Sequence, residues 1–195
     1  MELLKHFIVK FVNDITSYGN ICCTKICNLK QGLYIEVNVI TNYLDDREHG
    51  IHKEFFNGYI SHIEERFGGL YHGCFIFYKE IDGKNLVHNI CMYLHGKRHG
   101  LRVEWDNTHI HSPMYLDNIS SYLNDRRHGL CYEFHRGGLI AIYNYQYNKL
   151  FGRQVEYYIN GNKKTEYYRD IDAKQCGIET NWRNNGKLLS KTEYF

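Results

Sequence analysis

Apolar and polar positions alternate along this chain in short blocks, each opening on a glycine. The opening glycines are Gly32, Gly50, Gly73, Gly100, Gly129, Gly152 and Gly177. One, three and five residues after them stand Leu33/Ile35/Val37, Ile51/Lys53/Phe55, Cys74/Ile76/Tyr78, Leu101/Val103/Trp105, Leu130/Tyr132/Phe134, Arg153/Val155/Tyr157 and Ile178/Thr180/Trp182. Eighteen of these 21 are apolar or aromatic, whereas only Tyr34, Phe75, Phe77 and Cys131 are so among the 14 positions between them. A period of two held through seven units predicts half-buried β-strands with one face toward a core. The third unit departs from it, since Phe75 and Phe77 make both of its faces apolar; extra covering or a partner is expected there.

Turn residues close each block. Asn57-Gly58, Asp82-Gly83, Arg136-Gly137-Gly138, Asn160-Gly161 and Asn185-Gly186 follow the strands. Asn-Gly and Asp-Gly suit type I′ turns, which need positive φ at both central residues. Return strands such as Lys163–Tyr168 come next, so each unit reads as a β-hairpin. Successive opening glycines lie 18, 23, 27, 29, 23 and 25 residues apart. A repeat of that length predicts a stacked array, which presents surfaces rather than one enclosed catalytic centre.

Composition sharpens the class. The chain has 18 Tyr, 10 Phe and 18 Asn but one Pro and two Ala in 195 residues, which favours strands over a helical array. A net charge of +2 lacks the basic excess of a dedicated nucleic-acid binder. No apolar run approaches the ~20 residues of a membrane-spanning helix, and no secretory signal pattern opens the chain. Seven unevenly scattered cysteines then read as reduced thiols, which points to the cytoplasm.

The segments Tyr93–Trp105 and Tyr158–Lys163 resemble MORN repeats, in the degenerate form Tyr-x-Asn-Gly-Lys-x-x-Gly-x-x-x-x-Tyr-Tyr-x-Asn-Gly. The resemblance covers residues 30–195. It implies an all-β, elongated, single-layer antiparallel sheet of about seven stacked hairpins; fourteen strands at ~4.8 Å make a rod ~65 Å long. Arrays of this kind resemble scaffolding and docking modules, and they are common in large DNA viruses. A virion or assembly role, in the host cytoplasm or the virion, would follow from such a source.

Residues 1–29 differ from the rest. Leu3, Leu4, Phe7, Ile8, Phe11, Val12 and Ile15 recur at helical spacing. A short N-terminal helix capping the first hairpin is the favoured reading, with a first strand or an amphipathic membrane anchor left open. The last strand, Lys191–Phe195, shows no cap, so a homo-oligomer through this C-terminal edge is one expectation.

Candidate chemistry is sparse. His49, His72, His99 and His128 each precede an opening glycine. Equivalent positions in stacked hairpins lie ~10 Å apart, too far to share an ion bound at ~2 Å. Turn roles are expected for them, and neither a metal nor a cofactor is expected. Cys22, Cys23 and Cys27 fit no zinc pattern. Glu36, Glu54, Glu104, Glu133 and Glu156 recur just before the last apolar position, where pairing with Lys or Arg across strands is the natural role. No nucleophile motif, P-loop or dinucleotide fingerprint occurs, so no enzymatic activity is expected. The expected function is non-enzymatic protein–protein scaffolding through the aromatic face, with Phe75, Phe77, Trp105, Phe134, Tyr157 and Trp182 as candidate anchors. The alternative is a membrane-surface module that binds anionic lipid through the basic turn residues Lys97, Arg98, Arg126, Arg127, Lys163 and Lys164. Nucleic acid is the least favoured partner.

Overall fold

A computed structural model describes residues 24–26, 29–36, 38–106 and 114–195. Strands run in the order β1 (Thr24–Ile26), β2 (Leu29–Glu36), β3 (Val39–Leu44), β4 (Arg47–Phe56), β5 (Tyr59–Phe67), β6 (Leu70–Ile81), β7 (Lys84–Leu94), β8 (Lys97–Asp106) and β9 (Tyr115–Leu123). They continue as β10 (Arg126–Arg127), β11 (Gly129–His135), β12 (Gly138–Gln146), β13 (Lys149–Leu150), β14 (Gly152–Tyr157), β15 (Lys163–Arg169), β16 (Gln175–Trp182) and β17 (Leu188–Tyr194). β10 and β11 both pair with β9, and β13 and β14 both pair with β12. Each of these two pairs is one strand interrupted at a bulge, leaving a single open antiparallel sheet of fifteen strands. Every strand pairs with its neighbours in sequence, so the whole is a run of consecutive hairpins.

The opening glycines are explained by backbone geometry. All six that fall among residues with described side chains, from Gly50 to Gly177, have positive φ (64° to 98°), a region that costs other L-residues ~1–2 kcal/mol. Each lies where the strand enters the sheet and its register slips, as between Thr41/Tyr43 opposite Gly50 and between Cys91/Tyr93 opposite Gly100. The connections before them are as tight as the hairpin turns themselves. Asp45-Asp46, Asn124-Asp125 and Tyr147-Asn148 take positive φ at both residues, as do Asn57-Gly58 and Asp82-Gly83. Successive connections also bond to one another: Gly69 N–H donates to Glu48 C=O at 2.8 Å, and Gly96 N–H to Tyr71 C=O at 2.7 Å.

A second irregularity recurs on the return strands. Register shifts fall between Glu54/Phe55, Phe77/Tyr78, Glu104/Trp105, Phe134 and its predecessor, Glu156/Tyr157 and Asn181/Trp182. One extra residue is thereby inserted opposite the end of the outgoing strand in these six hairpins, though not in β2–β3, and such bulges bend and twist the sheet.

Cross-strand partners share a face, and this builds a spine across the sheet. Ile63, Ile76, Ile90, Val103, Ile119, Tyr132, Ile142 and Val155 follow one another from β5 to β14. The spine continues in polar form through Glu166, Thr180 and Lys191. Ile63, Cys74, Ile76 and Ile90 form one buried cluster and Val103, Ile119 and Phe134 a second, with Trp105 packed against both.

The expected capping helix falls largely on residues outside those described. Thr24–Ile26 and Leu29, the described part of that stretch, are strand, and no helix occurs among the described residues. A meander can satisfy its first strand with another strand, as β1 does for β2, and needs no helix to do so.

Candidate functional site

The side of the sheet opposite the spine carries the polar chemistry. Two His-x-Glu triplets, His52-Lys53-Glu54 on β4 and His62-Ile63-Glu64 on β5, run antiparallel. Register pairs His52 with Glu64 and Glu54 with His62, so all four side chains share one face. His62 Nε2 lies 3.4 Å from Glu54 Oε2 and 3.8 Å from Glu64 Oε2. The His52 and His62 rings stack at 5.9 Å, and His62 stacks on Phe75 at 5.4 Å. Donor atoms of His52, Glu54 and His62 all lie within 4.8 Å of one another.

The surroundings hold these groups in place. The Glu64 side chain is fully buried; its Oε1 accepts from Arg66 Nε, while its Oε2 has no hydrogen-bond donor. Arg66 also reaches Glu48, whose Oε1 lies 3.8 Å from His52 Nδ1. Burial pushes the His52 pKa below its ordinary value, against the opposing pull of Glu64 and Glu48, so His52 is neutral at pH 7. On the other side of Phe75 a shallow groove of about 410 Å³ is lined by Phe75, Phe77, Tyr93, Arg98, Arg102 and Glu104.

The residues singled out in the sequence are spread over the sheet. Phe75 and Phe77 share the face of the histidines, and Phe77 is partly exposed. Trp105, Tyr157 and Trp182 are half-buried on the spine face, and Phe134 is 7% exposed within the second cluster, where its ring is core. Most basic turn residues already have partners. Arg98 Nε donates to Asp125 at 3.1 Å and its guanidinium covers Tyr122; Arg127 lies over Tyr145. Lys163 reaches Glu166 at 2.7 Å and Lys164 reaches Glu156 at 3.0 Å. Lys97 and Arg126 are exposed.

The ladder histidines serve the turns. His49 and His72 pack on Phe67, His99 Nδ1 lies 3.5 Å from Asn124 Oδ1, and His128 packs on Tyr147. Among the recurrent glutamates, Glu104 takes Arg102 and Glu156 takes Lys164, whereas Glu54 faces His62. Burial and the nearby Glu65 raise the Cys74 thiol to about 12, which keeps it protonated and inert.

Glu166 gives a testable pH dependence. Hydrogen bonds from Arg153 and Lys163 pull its pKa from 4.5 to about 2. A depressed carboxyl pKa stabilises the fold above the unfolded value and loses that contribution as pH falls from 4.5 toward 2. Arg153 is half-exposed, so screening leaves about 1 kcal/mol. The thermal midpoint of the native chain should exceed that of Glu166→Gln at pH 6, and the gap should close near pH 2.

His52 and His62 do not stand at equivalent repeat positions, so the ladder of histidines before the glycines does not include them. The signal was present as two His-x-Glu triplets in adjacent antiparallel strands. The chain matches no protein-family model and no curated protein.

Proposed function

We propose that the chain is a non-enzymatic, MORN-like scaffold: an elongated single-layer array that docks a protein partner on the spine face of its sheet, without a cofactor in that role. At ~4.8 Å per strand the array extends roughly 70 Å. The observation that carries this reading is a row of exposed large apolar side chains. Leu44, Phe67, Leu70, Leu94, Leu101 and Leu130 are each between 38% and 53% exposed. Strand alternation from Ile63 and Glu65 places Phe67 on the spine face, and its register partner Leu70 shares that face. Leu44 and Leu94 occupy the same position at the neighbouring connections. Contiguous exposed apolar surface of this kind marks interaction sites.

Phe134 and Trp105 are poor test positions, since truncating either would remove core. Phe67→Ser combined with Leu70→Ser changes half-exposed side chains outside both buried clusters. The double variant should keep its circular dichroism spectrum and lose, by more than about tenfold, the affinity for a stoichiometric protein partner captured at high salt, as expected of hot-spot removal. Unchanged affinity in the folded variant would sink the docking face. Anionic lipid at the basic turns has less support, because Arg98, Lys163 and Lys164 are engaged by carboxylates of the chain itself. Vesicle binding that disappears between low and physiological salt would favour that alternative.

A further inference from the structure

The cluster around His62 has a charge problem that the scaffold reading leaves unexplained. Glu48, Glu54 and Glu64 face a single guanidinium, that of Arg66. Three carboxylates thus meet one guanidinium on a partly buried face. The Glu64 carboxylate is wholly buried, and its unpartnered Oε2 is aimed at His62 Nε2. A buried carboxylate oxygen without a donor is unfavourable, and Arg66 satisfies only the other oxygen of Glu64.

The protonation pattern sharpens the point. Ser61, the extra residue of the β4–β5 bulge, sets its Oγ 3.3 Å from His62 Nδ1. In the tautomer that donates Nδ1–H to Ser61 Oγ, the Nε2 lone pair faces Glu54 and Glu64. Arg66 acts likewise on Glu64: it occupies Oε1 and turns Oε2 toward the cluster. Two of the four donor groups, those of His62 and Glu64, are thereby fixed from behind by a second residue, the arrangement that orients metal ligands.

We propose that His52, Glu54, His62 and Glu64 form a binding site for one divalent transition-metal ion, with Ser61 and Arg66 as positioning residues. Two imidazoles and two carboxylates suit a borderline ion such as Zn²⁺ in tetrahedral coordination, rather than the all-oxygen shell of Ca²⁺ or Mg²⁺. Bonds of ~2.0–2.2 Å require donor separations near ~3.3 Å, so binding draws the donors of His52, Glu54 and His62 inward from within 4.8 Å and Glu64 Oε2 toward them from its 3.8 Å separation from His62 Nε2. The ion offsets the carboxylate charge and clamps β4 to β5 beside Phe75. Glu54 is half-exposed and gives the ion its entry from solvent.

Cobalt is the probe, because its spectrum separates nitrogen–oxygen ligation from thiolate ligation and the chain contains seven cysteines. Chelator-treated protein is titrated with Co²⁺ and followed by visible absorption, with Zn²⁺ as competitor. One equivalent should produce a d–d band without a sulfur charge-transfer band, and Zn²⁺ should displace it. His62→Ala and Glu54→Gln should each abolish that band. Ser61→Ala, which touches no metal, should weaken binding roughly tenfold, as second-shell losses do. Glu54 is exposed enough that Glu54→Gln folds, and circular dichroism checks it. Three results overturn the site: no band with Co²⁺ in excess, a thiolate spectrum, or a band indifferent to Glu54→Gln and His62→Ala.

Discussion

Ile76→Ala should cost the fold about 3 kcal/mol, and the loss should be confined to one half of the array. Ile76 is completely buried at the centre of the first cluster, between Ile63 on β5 and Ile90 on β7. Ile→Ala at such sites removes the transfer energy of the lost carbons and leaves a cavity, together about 2–5 kcal/mol. In a linear array each unit contacts only its neighbours, so damage does not spread evenly. The two tryptophans report the two ends separately. Trp105 packs on the first cluster, whereas Trp182 lies on β16 in the last hairpin. In urea, with m of about 2 kcal/mol/M, the Trp105 transition should fall by about 1.5 M while that of Trp182 holds. Single-tryptophan forms of the chain make the two readings independent. A common shift of both signals would mean that the sheet unfolds as one cooperative body.

Gln154→Leu should be nearly as damaging, although it keeps the volume of the side chain and makes it more apolar. Gln154 is fully buried on the face opposite the spine. Its Oε1 accepts from Asn144 N–H at 2.9 Å, and its Nε2 donates to the carbonyls of Phe151 and Gly152 at 3.0 and 3.1 Å. The bulge at Phe151 interrupts the ladder there, and this side-chain amide completes it. Leucine leaves Asn144 N–H and the carbonyls of Phe151 and Gly152 without these partners, at about 1–3 kcal/mol for each group shut off from water. The Asn144 carbonyl loses less, since it keeps the Phe151 N–H at 2.9 Å. A total near 3 kcal/mol lowers the thermal midpoint by roughly 6–12 °C. Amide exchange at Asn144 should accelerate more than exchange at Val155, whose spine contacts are unaltered. Equal protection at Asn144 in both proteins would show that another group takes over from Gln154.

These two residues mark the boundary of what the chain discloses before folding. Ile76 was legible: it is apolar, three residues after a glycine, in a period-two block. Gln154 was not, because a polar residue at an intervening position reads as solvent-facing. Its burial depends on where the bulge at Gly152 sends the backbone. The same gap hides Glu64, whose burial depends on Arg66 and His62 in the folded hairpin. Alternation identifies faces well, yet it cannot say how far a polar face is covered by its own aromatics. Phe75 and Phe77 were the readable hint, since extra covering was expected at their unit, and His62 stacks on Phe75. Positive-φ glycines carried the repeat because few other residues tolerate that backbone. The bulges on the return strands left no such signature, as Ser61, His88, Asp117, Ile140, Lys164 and Leu189 share no chemistry.

The strictly sequential pairing also fixes how the sheet meets a mechanical load. Tension applied between β2 and β17 pulls across the strands, so at any moment it acts on the outermost ladder alone. Each hairpin then peels open like a zipper and releases its slack before the next is strained. A unit of 23–29 residues pays out roughly 80–100 Å of chain at ~3.4 Å per residue. Under force the protein is an extensible tether that lengthens in steps, and an ion clamping β4 to β5 would set one of those steps apart from the others.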